Sequence, residues 1–179
     1  MHFLLYLPIL FLSLTAPAGT VNHKAHVHGA AKIVLALETS TQGTIDLDVP
    51  AESIYGFEHK ATTKADKEAE AKGLKPLKGN PYSIIRLPSD CEIKVIKVEM
   101  EKAEDDKHEE VKGDEHHGEH ADINASYSVK CVKPISGIKA WIGMFDIFPR
   151  LKTVSFQVLT SSGQTETKVQ SSHEFITLP

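Results

Sequence analysis

INASYSVKC, residues 123 to 131, decides the fold class of this chain. Ile123, Ala125, Tyr127, Val129 and Cys131 alternate with Asn124, Ser126, Ser128 and Lys130. Side chains of a strand point to opposite faces in turn, so the stretch reads as a strand with one buried and one wet face. The preceding apolar stretch, residues 91 to 100, carries a phase change. Cys91, Ile93 and Val95 share one phase and Ile96, Val98 and Met100 the other, which predicts a β-bulge near Val95. TIDLDV (44–49) alternates in the same way, and KIVLALE (32–38) before it is rich in Val, Ile and Leu, with STQG (40–43) as the hairpin loop between them. Residues 139–145, 152–160, 164–169 and 174–178 read as further strands, with Ser161-Ser162-Gly163 as a turn. The best helix is TKADKEAEAKG (63–73), capped by Thr62 or Thr63 and ended by Gly73. It has almost no apolar stripe, so it belongs on the surface. Together these predict a mainly β fold, an antiparallel sandwich or open barrel with one short surface helix.

Residues 3–14, FLLYLPILFLSL, are almost wholly apolar and are followed by Ala16-Pro17-Ala18. The run is shorter than the roughly 20 apolar residues of a spanning helix. A signal peptide over residues 1–18, cut after Ala18, is the expectation, although no Lys or Arg precedes the apolar run. The alternative is an uncleaved N-terminal anchor. Residues 19–179 then form a single β-rich domain, exported and not embedded in the membrane. The formal charge of −4, with no basic stripe, argues against nucleic acid as a partner. The two cysteines, Cys91 and Cys131, sit at matching phases of two strands and are expected to form a disulfide, as an even number in an exported chain suggests. Their other use, as soft metal ligands, requires thiolates that an oxidising compartment removes.

Histidine is the unusual expenditure. His23, His26 and His28 cluster near the start, and His108, His116, His117 and His120 lie in an acidic loop at 101–121, seven of the ten histidines in all. Neutral imidazole is the commonest ligand for zinc, copper and nickel. On a strand, His26 and His28 point to one face and can chelate one ion. Gly56-Phe57-Glu58-His59 offers a second element: His59 as a ligand, with Glu58 as a ligand or as the acceptor that fixes an imidazole tautomer. The acidic loop gathers cations, and its His116 and His117 hold them weakly; a solvated charge run is the bland alternative. His120 and Asp122, where the loop re-enters a strand, are better anchored. Met occurs only at positions 1, 100 and 144, outside the clusters, which argues against a Cu(I) carrier. Pure calcium sites want oxygen ligands. Zn2+ fits best. There is no HExxH and no GxSxG, so no catalytic residue is assigned and the chain is read as a binding protein. The HVHG stretch (26–29) is similar to a copper-ligating stretch of Cu/Zn superoxide dismutases, but their later ligands have no counterpart that can be placed here. A metal-dependent enzyme of that kind is the alternative, and a non-metal structural domain is a third.

HVHGAAKIVLALE, LDVPAESIYGFEH, a Cys-bearing strand, an acidic His loop, HADINASYSVKC, FDIFP and SSGQ occur in that order along the chain. This resembles the zinc-regulated periplasmic protein A (ZrgA-like) family, over essentially the whole chain past the apolar leader. The resemblance implies a periplasmic zinc-binding protein that assists zinc acquisition beside an ABC-type importer or its binding protein. Carried over by motif, it marks His26, His28, His59, His120 and Asp122. Family members often carry a denser His-rich loop, and the shorter one here implies a lower capacity.

Overall fold

The computed structural model describes residues 27–102 and 121–179. The elements run β1 (Ala30–Leu37), β2 (Gln42–Pro50), α1 (Ala51–Tyr55), α2 (Lys64–Gly79), β3 (Ile85–Arg86), β4 (Cys91–Lys102), β5 (Ala121–Cys131), β6 (Lys139–Ile142), β7 (Thr153–Thr160), β8 (Gly163–Val169) and β9 (Phe175–Thr177). They build a six-stranded sheet ordered β4-β5-β2-β1-β7-β8 and a three-stranded sheet ordered β3-β6-β9. The fold is mainly β and its sheets are open, as the alternation pattern predicts.

The alternating residues sort as expected. Ile45, Leu47 and Val49 of β2 and Ile123, Ala125, Tyr127 and Val129 of β5 are buried. Asp46 and Asp48 face water, and Ser126 donates to Asp46 on that wet face. One hydrophobic cluster joins the inner face of the large sheet to Ile85, Ala140, Ile142 and Ile176 of the small one and to Leu77 of α2. The bulge is where the phase change puts it. The β4–β5 register shifts between Val95 and Lys97, so Ile93 pairs with Val129 and Val98 with Ala125. Ile96, the extra residue, is left 58% exposed, while Val98 and Met100 return to the core side. Cys91 faces Cys131 directly across this ladder, and the two form a disulfide.

Four details differ from the sequence reading. β1 and β7 pair in parallel, so the large sheet is mixed. The 139–145 strand stops at Ile142 and turns into a 3-10 helix over Gly143–Asp146. A Cβ at Gly143 would lie 2.7 Å from the Ser83 carbonyl oxygen, so the chain can bend there against its neighbour only as glycine. There is a second, five-residue helix, α1, and a two-residue strand, β3, both too short to show periodicity. Finally, α2 does not end at Gly73. Thr63, one of the two caps the sequence offers, starts it, in a reciprocal capping box with Asp66, but the helix continues through Pro76 to Gly79. Gly73 is a contact residue instead of a stop signal: a Cβ there would lie 3.0 Å from both Ile54 Cγ2 and Tyr55 Cβ of α1. That close approach lets α2 bury Leu77, whose carbonyl accepts the Tyr127 hydroxyl at 3.2 Å. Replacing Gly73 by Val should therefore cost about 1–3 kcal/mol through overpacking. Urea denaturation measures this, and an unchanged midpoint would mean that α1 and α2 are not in tight contact.

Candidate metal site

The site is assembled at one end of the large sheet. Pro50, the last residue of β2, pairs with Asp122, the second residue of β5, and Asp122 pairs in turn with Glu101 near the end of β4. Lys32 of β1 pairs with Asp48, so the turn before β1 lies at the same end. Three chain segments with chemistry in them meet here because of register alone.

His28 sits in that turn, and its backbone is pinned from two sides. The Gly29 N–H donates to Ser53 Oγ of α1 at 3.0 Å. The Gly29 carbonyl accepts from Lys152 and Thr153 at the start of β7, at 2.7 and 3.0 Å. Gly29 has φ +78°, and a Cβ would lie 3.0 Å from the Arg150 carbonyl oxygen. Glycine is thus required for the turn and for the close approach. So held, the His28 imidazole presents Nδ1 to two carboxylates, Glu52 Oε2 at 3.5 Å and Glu58 Oε1 at 3.8 Å. Glu58 is largely buried, with its side chain 11% exposed, whereas His28 stays 58% exposed. Arg150 Nε lies 3.5 Å from the other oxygen of Glu52.

His59 occupies a neighbouring position with its own carboxylate. Its ring stacks on Phe57 at 4.6 Å, and Phe57 packs against Tyr55 at 4.6 Å. His59 Nε2 lies 3.7 Å from Asp66 Oδ2, the carboxylate of the α2 capping box. The hydrogen bonds to Thr63 hold the Asp66 carboxyl below its ordinary range, and the charge of His59 adds to this. Burial, with the charges of Glu70 and Glu58, pushes the Tyr55 phenol up to about 12. Tyr55 therefore remains a donor, and it points at Met100 Sδ, 3.7 Å away.

Of the residues singled out from sequence, the structure brings His28 and Glu58 together and places Asp122 at the same end of the sheet. It sets His59 against Asp66. His23, His26, His116, His117 and His120 lie outside the described residues, as does the apolar leader. Sequence reasoning missed Glu52, Asp66 and Arg150. Glu52 was findable as an acid just past the strand end that adjoins the histidines. Arg150 had no signal, because it reaches the site through the parallel β1–β7 pairing. The donor types, imidazole and carboxylate, suit zinc. Among the described residues, no three His, Cys, Asp or Glu side chains are arranged to hold a metal ion by themselves. No helix among them is long and apolar enough to cross a membrane.

A family model described as "ZrgA family zinc uptake protein" matches residues 25–178. No curated protein matches the chain.

Proposed function

The chain belongs to the ZrgA family of zinc uptake proteins, and we propose that it is a periplasmic zinc-binding protein that assists uptake by an ABC-type importer. It acts as a binding protein and not as an enzyme. Its leader, residues 1–18, is removed on export, and residues 19–179 form one binding domain. The observation that supports this reading best is the His28 imidazole pinned against Glu52 and Glu58 at the sheet end that also carries Asp122.

The proposed ordered site uses His26, His28, His59 and His120 as imidazole donors, with Glu58 or Asp122 as ligand or acceptor. His26 is two residues from the pinned turn, and His120 immediately precedes β5. His28 and His59 each have one ring nitrogen toward a carboxylate, which is the usual arrangement behind a metal-bound imidazole. In His59 the nitrogen left for a metal is Nδ1. The acidic loop, with His116 and His117, adds weaker binding, and His23 is an accessory donor near the new N-terminus. Cargo of this kind must also be released, so a partly exposed site suits the role.

The test is a chelator-competition titration of the mature, metal-stripped protein with zinc. It should show a single tight zinc followed by weaker ones. Tight binding should weaken as pH falls through the ordinary imidazole range, about 6.5, because ligating imidazole must be neutral. Absence of a tight phase at neutral pH would refute the reading.

A further inference from the structure

We propose that Glu52 is the positioning residue of the site: it holds the proton of His28 on Nδ1, so that Nε2 carries the lone pair offered to zinc. The proposal rests on the zinc-binding reading above. Two carboxylates face Nδ1, and Glu52 is the nearer. Its Oε2 is 3.5 Å from Nδ1, against 3.8 Å for Glu58 Oε1. Behind it, Arg150 Nε stands 3.5 Å from Oε1.

Arg150 lies against the end of α1. Its guanidinium lies over Gly56, where a Cβ would come within 2.9 Å of Cζ. Gly56 ends α1 at φ +99°, a conformation that side chains rarely adopt. His28, Glu52 and Arg150 thus form a row in which the cation fixes the carboxylate and the carboxylate fixes the imidazole. The backbone reinforces it, because the residues next to His28 and Glu52 are tied together by the Gly29–Ser53 hydrogen bond. At 3.5 Å the His28–Glu52 contact is longer than a full hydrogen bond, but a carboxylate at that distance still favours the tautomer that points N–H toward it. A carboxylate in this place orients the ring and raises the basicity of the opposite nitrogen. Arg150 has a second effect: by engaging Glu52, it keeps that carboxylate an acceptor for His28 and away from the metal.

The tautomer can be read directly. Two-bond 1H–15N correlation spectra of the metal-stripped protein at about pH 8.5 sample the neutral ring. Wild-type His28 should be the Nδ1–H tautomer. Glu52→Ala should shift the population toward the Nε2–H form, Arg150→Met should shift it less, and Glu58→Ala should shift it less than Glu52→Ala does. In chelator competition, Glu52→Ala should weaken zinc binding about 10–100-fold. Arg150→Met should add no further loss in the Glu52→Ala background. An Nε2–H tautomer in the wild type would overturn the proposal. So would a tautomer that responds to Glu58→Ala and not to Glu52→Ala, or zinc affinity that is unchanged when the tautomer changes. If Arg150→Met does not fold, the Glu52→Ala and Glu58→Ala spectra decide alone. The spectra need no zinc: a wild type with the Nδ1–H tautomer and no zinc affinity refutes the zinc reading and leaves the positioning of His28 standing.

Discussion

Replacing Cys91 and Cys131 together by Ala should lower the unfolding free energy by about 2–4 kcal/mol and the midpoint of thermal unfolding by roughly 5–15 °C. The two residues are direct partners across the β4–β5 ladder, both are buried, and the bond closes a stretch of 40 residues. Chain entropy gives roughly 4 kcal/mol for a loop of that length, the upper end of this range. The same change should leave zinc affinity within about threefold, because the disulfide is at the wrong end of the sheet to matter. Asp122 lies near the start of β5 and Cys131 at its end, and at about 3.4 Å per residue they are roughly 30 Å apart. Denaturant and thermal melts check the first half, and a zinc titration below the melting range checks the second. A variant as stable as the wild type would mean that the ladder alone holds β4 in place. A large loss of affinity in a folded variant would mean that the site is coupled to the far end of the sheet.

The second large effect is on zinc. A His26→Ala/His28→Ala variant should lose roughly a hundredfold or more of the tightest affinity, since even residues that only support a ligand cost 10–100-fold. Deleting residues 105–118, which removes His108, His116 and His117 with six acids, should reduce the weak phase and spare the tight one. The argument is about rigidity. A tight site needs donors held by regular structure, and His28 is held by hydrogen bonds from Gly29 to α1 and to β7. If the deletion abolished tight binding and the double substitution did not, the division between ordered and auxiliary sites would be reversed. If neither changed zinc binding, the histidines would be incidental.

How much of this was legible beforehand depends on whether the determinant is local. The alternation in β5, the phase change in β4 and the threonine cap of α2 are short-range patterns, and each reads from a few residues. The Cys91–Cys131 bond follows from the phases of two strands read separately. What depends on contact between distant segments was not legible. Gly73 looks like a helix terminator until α1 is placed against it. The parallel β1–β7 pair is invisible to a reading that sees strands but not their partners. The same holds for the site. The histidines and Glu58 stand out by composition, whereas Glu52 and Arg150 are ordinary charged residues until the fold sets them in a row with His28.

The central claim, an ordered zinc site at the His28 end of the large sheet, is tested most directly by backbone 1H–15N spectra during zinc titration of the metal-stripped protein. The first equivalent should shift resonances of residues 27–29, 52–59 and 121–122. It should leave the turn at residues 38–42 and the disulfide end of β5 unmoved. Shifts confined to the disulfide end, or none in the three segments at the first equivalent, would contradict it.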